Sequence, residues 1–182
     1  MSDFLKEEIQ RSLLSGVEFT FDCALADIEP LVLAISQSLM PGDWLLLSGD
    51  LGAGKTTLTQ KIASSLGFVQ KVSSPTYAIV NVIENEQGAS GIRKLCHLDL
   101  YRIKRADELL HLGLEVELNS KAICIIEWAE NVETSGWSYF FDQTGCKKPR
   151  RVLDVSIFHE NNDQQRRYSL CWKKPESLFE ES

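Results

Sequence analysis

The amino-acid sequence predicts an α/β fold: a single domain with a central mixed sheet flanked by helices and closed by a C-terminal β-hairpin. Three stretches carry that expectation. The apolar run at 44–48 ends in a glycine-rich loop, Gly49-Asp50-Leu51-Gly52-Ala53-Gly54, and a helix-forming segment opens at Lys55-Thr56. A second run, Ala122-Ile123-Cys124-Ile125-Ile126, is continuously apolar, the pattern of a strand buried on both faces. Residues 152–158 and 167–172 read as two strands on either side of the turn residues Glu160-Asn161-Asn162-Asp163. At 182 residues and 43% hydrophobic content, the chain can bury one sizeable core.

The remaining elements follow in order. Phe4, Leu5, Ile9, Leu13 and Leu14 fall near helical spacing and predict a short amphipathic helix in an N-terminal extension, 1–16. Residues 17–21 alternate weakly, as an edge strand does. Asp27 is expected to cap a helix with Pro30 in its first turn, and Ile28, Leu31, Val32, Ile35 and Leu39 form its apolar stripe. Pro41-Gly42-Asp43 breaks that helix. The helix at 55–66 is stopped by Gly67. A loop, Ser73-Ser74-Pro75-Thr76-Tyr77, leads into a strand at 78–84, and Glu86-Gln87-Gly88 with Gly91 marks a turn. Residues 94–102 alternate, with Leu95, His97, Asp99 and Tyr101 on one face and Cys96, Leu98 and Leu100 on the other. A helix is expected at 107–118, weakened by Gly113, and an irregular surface excursion at 134–150. The domain proper is expected over 17–174, followed by a flexible acidic tail, 175–182.

The glycine-rich loop matches G-x-x-x-x-G-K-[ST] completely, at Gly49, Gly54, Lys55 and Thr56. Phosphate oxygens can be met by converging backbone N–H groups only where no Cβ intervenes, and glycine permits that approach. Asp50, Leu51, Gly52, Ala53, Gly54, Lys55, Thr56 and Thr57 are therefore the expected phosphate cradle, delivering the ligand to a helix N-terminus. Lys55 is expected to reach the β- and γ-phosphates, and the Thr56 hydroxyl to ligate Mg²⁺. With a strand before it and a helix after it, the motif predicts a P-loop NTPase fold that binds a nucleoside triphosphate.

The metal needs a carboxylate at the C-terminal end of a nearby strand. Two residues qualify. Glu127 ends the most apolar strand, where open α/β sheets place ligand-facing groups. Asp99 shares a strand face with His97 and Tyr101. His97 and Trp128 read first as packing residues. Thr76 stands about twenty residues beyond the P-loop lysine, where some P-loop proteins carry a nucleotide-sensing loop.

Bulk properties exclude other classes. A formal net charge of −7 makes the chain a poor candidate for gripping DNA or RNA unaided. No apolar run approaches membrane-spanning length and no signal peptide is visible, so neither membrane nor export is expected. Cys23, Cys96, Cys124, Cys146 and Cys171 form no C-x-x-C pair, which fits a reducing cytoplasm.

Five motifs in order carry a family resemblance: Gly49-Asp50-Leu51-Gly52-Ala53-Gly54-Lys55-Thr56-Thr57, Ser74-Pro75-Thr76-Tyr77, His97-Leu98-Asp99-Leu100-Tyr101-Arg102, Leu112-Gly113-Leu114 and Ile126-Glu127-Trp128. The chain resembles the bacterial TsaE family, ATPases of tRNA threonylcarbamoyladenosine modification, over about 17–172. The resemblance implies ATP and Mg²⁺ as cofactors, Thr56 and Glu127 as metal ligands, and Lys55, Asp99 and Glu127 as the residues of turnover. It implies partners homologous to the transferase TsaD and its companion TsaB, with tRNA met only through them. The family's usual Glu-Trp-Pro is Glu127-Trp128-Ala129 here, and residues 1–16 and 134–150 have no counterpart. Cys23 and Arg166 are the residues best matched to the family's adenine contacts. Three other classes share such a loop. A pure binding module with a merely structural P-loop is opposed by the intact Lys55, Thr56 and Glu127. A small-molecule kinase usually needs an arginine-bearing lid, which only Arg102 and Arg105 begin to suggest. A GTPase reads guanine with Asn-Lys-x-Asp, and the sequence contains no Asn-Lys pair. The protein is accordingly expected to prefer ATP over GTP in a competition binding assay; equal competition by the two nucleotides would refute the adenine assignment.

Overall fold

The structure is a computed structural model that describes residues 2–69, 79–85, 91–118, 121–160 and 165–179. The helices are α1 (Ser2–Ser15), α2 (Glu29–Ser38), α3 (Lys55–Ser65), α4 (Leu114–Glu117), α5 (Thr134–Thr144) and α6 (Glu176–Phe179). The strands are β1 (Phe19–Ala24), β2 (Trp44–Gly49), β3 (Val80–Glu84), β4 (Lys94–Asp99), β5 (Ala122–Glu127), β6 (Val152–His159) and β7 (Gln165–Lys173). Among the described residues the strands form one sheet in the order β1-β7-β6-β2-β5-β4-β3. The central pairs β6–β2, β2–β5 and β5–β4 are parallel, while β1–β7, β7–β6 and β4–β3 are antiparallel. This is the mixed sheet that the sequence predicts, with β6 and β7 as the C-terminal hairpin.

Strand alternation builds two core layers. Leu45 and Leu47 of β2, Ile123 and Ile125 of β5 and Leu153 and Val155 of β6 face α1, α2 and α3, whose Ile9, Leu13, Leu31, Val32, Ile35, Leu58 and Ile62 cover them. Trp44 and Leu46, Cys124 and Ile126, and Cys96 and Leu98 face the other way, onto Leu109, Leu114, Trp137, Phe140 and Phe141. The uninterrupted apolar run of β5 is explained by this placement, because its six residues are buried on both faces. An ion pair to a buried carboxylate ties the layers together. Arg151 donates to both carboxylate oxygens of the fully buried Asp43, from Nε at 3.1 Å and from Nη2 at 2.5 Å, which fixes the turn before β2 against the start of β6.

Four expectations are corrected. Asp27 lies in a 3₁₀ turn, Leu25–Asp27, and Ile28 is the N-cap of α2, without a side-chain cap. The single helix expected at 107–118 is a 3₁₀ segment, Ala106–His111, and the short α4, separated by Gly113 in the left-handed conformation at φ +65°. The expected excursion at 134–150 contains α5, because Trp137, Phe140 and Phe141 fall at helical spacing and all point into the core. The acidic tail is not frayed at 176–179: α6 inserts Phe179, 1% exposed, among Trp44, Trp137 and Phe141 at ring-centroid distances of 5.6, 6.1 and 5.4 Å. The N-terminal helix is present and docks on α2 through Ile9 and Leu13. The turn residues at 161–163, the loop at 73–77 with Ala78, and Glu86-Gln87-Gly88 lie outside the described residues. Among the described residues no helix is long and apolar enough to cross a membrane.

Phe179→Ala should destabilise the protein by about 3–5 kcal/mol, since an aromatic side chain leaves a closed cluster. For a chain of this size that corresponds to a fall of roughly 6–20 °C in Tm, measurable by thermal unfolding; an unchanged Tm would show that α6 contributes nothing to the core.

Candidate nucleotide-binding site

β2 feeds straight into the loop. Gly49 has φ +137°, and a Cβ there would lie 2.3 Å from the Ile157 carbonyl oxygen of neighbouring β6. Only glycine satisfies both the dihedral and the contact. Gly54, also left-handed, is the N-cap of α3, and its carbonyl accepts the Leu58 N–H at 2.9 Å. The first N–H groups of α3 therefore open toward the loop's concave side. Leu51 at the tip is exposed, whereas Ala53 is buried.

Lys55 is folded back on its own loop. Its Nζ donates to the Gly49 and Asp50 carbonyls at 2.5 and 2.9 Å, and the Trp128 ring covers it at 3.5 Å from the centroid. Burial pulls the ammonium below the ordinary lysine range, opposed by the negative charges of Glu130, Glu127, Asp99 and Asp50 around it. Trp128 is the only described non-glycine residue with a left-handed backbone, at φ 60°. That conformation costs about 1–3 kcal/mol for a bulky residue. It turns the chain sharply after β5 and lays the ring over Lys55 and beside Tyr101, 4.8 Å between centroids. Glu130, two residues on, accepts the Gly49 N–H at 3.2 Å and ties this turn back to the loop.

Glu127 is the buried centre of the site, 1% exposed. Its Oε2 accepts the Thr56 hydroxyl at 2.7 Å. Its Oε1 lies 3.0 Å from Thr59 Oγ1 and 2.8 Å from His97 Nε2. Asp99 stands directly beside Glu127 in the parallel β4–β5 register, half-buried, with Oδ1 accepting the Tyr101 N–H at 3.1 Å. Of the two carboxylates read from the sequence, both reach the site, and Glu127 is the one that touches Thr56. Arg166 of β7 donates from Nε to the Ala53 carbonyl at 3.3 Å, and Cys23 of β1 stands opposite it in the β1–β7 register. Burial, with the charges of Asp27 and Asp22, pushes the Cys23 thiol up to about 11. Thr76 lies outside the described residues.

Three contributors escape the sequence reading. Thr59 carried a legible signal, since it lies one helical turn beyond Lys55 and three residues beyond Thr56, on the same face. Glu130 and the ring contact of Trp128 with Lys55 depend on the left-handed turn, which no pattern announces. Among the described residues no group of three or more His, Cys, Asp or Glu side chains could hold a metal. The hydroxyl of Thr56 and the carboxylate of Glu127 are hard oxygen donors, the type Mg²⁺ takes when phosphate supplies the rest of its shell.

Fold and loop together define an α/β protein of the P-loop NTPase fold. The profile described as "Threonylcarbamoyl adenosine biosynthesis protein TsaE" matches residues 24–168. The chain belongs to the TsaE family. It is similar to the tRNA threonylcarbamoyladenosine biosynthesis protein TsaE of Bacillus subtilis, 42% identical over 93 residues, covering 51% of this chain and 54% of that one. It is 43% identical over 84 residues to the protein of the same name from Haemophilus influenzae, covering 46% and 50% of the two chains. The chain thus spans about half the length of these relatives. The crystal structure of Bacillus subtilis YdiB aligns with a TM-score of 0.58 and 25% identity over 84% of both chains.

Gly49→Ala should destabilise the fold by more than about 2 kcal/mol, because the added methyl meets backbone of β6 rather than a movable side chain. Chemical denaturation checks this; a wild-type midpoint would mean that the loop can relax away from Ile157.

Proposed function

We propose that the protein is a Mg²⁺-dependent ATPase that serves tRNA threonylcarbamoyladenosine biosynthesis by binding and resetting a transferase complex of TsaD and TsaB homologues. The observation that carries the reading is the direct hydrogen bond between Thr56 and Glu127 at the start of α3, beside a complete phosphate loop. Family membership supports the pathway, and the relatives' names give its chemistry.

In this reading the phosphates of ATP lie in the loop over residues 50–57, on the N-terminus of α3. Lys55 exchanges its two backbone carbonyls for phosphate oxygens and leaves the shelter of Trp128. Thr56 and Glu127 would hold the metal, which when bound would stabilise the charge developing on the phosphates. Asp99, next to Glu127 at the end of the sheet, orients the attacking water. Cys23 and Arg166 stand where the β1–β7 edge meets the loop, on the side we assign to adenine. The loop containing Thr76 responds to the γ-phosphate, so that the partner complex is held with ATP and released after hydrolysis. With a net charge of −7, the protein leaves tRNA affinity to its partners.

ATP turnover, measured alone and with the transferase complex, tests the proposal. Lys55→Ala should lower turnover by at least about 100-fold, because the lost charge acts on the transferred group. Glu127→Ala should lose Mg²⁺-dependent turnover while remaining folded. Wild-type rates in both variants, or transfer of phosphate to a metabolite in place of water, would overturn the assignment.

A further inference from the structure

We infer that His97 and Thr59 are positioning residues, which clamp one oxygen of Glu127 so that the other is presented beside the Thr56 hydroxyl. The inference rests on the Mg²⁺–ATP reading above and adds two residues to it. His97 lies in the middle of β4, completely buried, with Nε2 2.8 Å from Glu127 Oε1. A carboxylate only accepts, so the ring nitrogen that meets it carries the proton and donates. The other nitrogen, Nδ1, is buried with no hydrogen-bond partner among the described residues. The neighbouring buried positions of β4 are filled by Leu95 on the same face and by Cys96 and Leu98 on the other, which need no polar partner. A histidine that leaves one nitrogen unsatisfied is a costly filler for such a site. Among the described residues, the one side-chain hydrogen bond of His97 goes to a single oxygen of Glu127.

Thr59 approaches the same oxygen from the opposite element. Its Oγ1 is 3.0 Å from Glu127 Oε1 and 3.0 Å from the Lys55 carbonyl, so one hydroxyl hydrogen is shared between a carboxylate and a helix carbonyl. Oε1 is therefore gripped between β4 and α3, while Oε2 faces Thr56 at 2.7 Å. The division matters chemically. A carboxylate free to rotate would offer either oxygen, or both, to a cation; with Oε1 occupied twice, only Oε2 remains. Partners that orient a ligating carboxylate in this way tune metal affinity without touching the metal.

The test is the affinity of a fluorescent ATP analogue, measured with EDTA and across a Mg²⁺ titration, so that turnover is not the readout. Thr59→Val keeps the shape of the side chain and removes the hydroxyl; His97→Met keeps bulk and removes the ring donor. Both should raise the Mg²⁺ concentration for half-maximal tightening by about 10- to 100-fold, and both should leave the affinity in EDTA within about twofold. Thr59→Ser and His97→Gln restore a donor and should recover most of the loss. Should His97→Met fail to fold, Thr59→Val decides the matter alone. A wild-type Mg²⁺ requirement in folded Thr59→Val overturns the inference while leaving the ATPase reading in place. Absence of any tightening by Mg²⁺ in the wild-type protein overturns that reading itself, and this inference with it.

Discussion

A carboxylate buried at the end of a parallel strand is the constraint around which this protein is arranged. Glu127 sits at 1% exposure, where an unpaired charge would be prohibitive. It is tolerated because donors reach it from three directions: Thr56 and Thr59 on α3, and His97 on β4. Hydrogen bonds to a charged group are worth about 1.5–3 kcal/mol each, and removing one leaves a buried charge with one donor fewer. The same bonds fix the angle of α3 against the sheet. The phosphate loop is the connection between β2 and α3, so its shape is set from both ends, by the β2–β6 contact at Gly49 and by the Glu127 contacts at Thr56 and Thr59.

The chain leaves Glu127 through a left-handed tryptophan, and that strained turn has two consequences. It places an aromatic face over the Lys55 ammonium, and it returns Glu130 to the Gly49 N–H. Lysine, loop and turn thus form a closed set in which the cation is satisfied by its own backbone and by Trp128. In the proposed ATPase reading, a phosphate chain entering the loop would replace those contacts, which would link the turn after β5 to the state of the loop. The opposite face of the sheet supplies rigidity. Trp44, Trp137, Phe141 and Phe179 lock the start of β2 to α5 and α6.

Much of this was legible in the sequence, and the reasons are physical. The apolar runs of β2 and β5 are long, uninterrupted and flanked by chemistry, so strand, loop and helix could be read without ambiguity. Glu127 and Asp99 were both legible as strand-end carboxylates, but spacing could not say which meets Thr56; that depends on the side-by-side register of β4 and β5 and on their shared reach toward α3. The helix α5 was hidden because Gly136 and a run of aromatics resemble an irregular segment until their core-facing spacing is seen in three dimensions. The docking of α6 was hidden because a single Phe179 in an acidic stretch gives no periodicity. The capping role assigned to Asp27 failed because a 3₁₀ turn places the helix start one residue later, at Ile28.

Glu127 and Lys55 are the two groups whose contacts would change if a nucleotide bound in the loop. The most direct measurement is a crystal structure with a non-hydrolysable ATP analogue and Mg²⁺. The metal is expected on Thr56 and on the Glu127 oxygen not held by His97 and Thr59, with the Lys55 ammonium moved from the Gly49 and Asp50 carbonyls to the phosphates. An ordered nucleotide whose metal lies away from Glu127, with Lys55 still bound to its own loop beneath Trp128, would contradict the account.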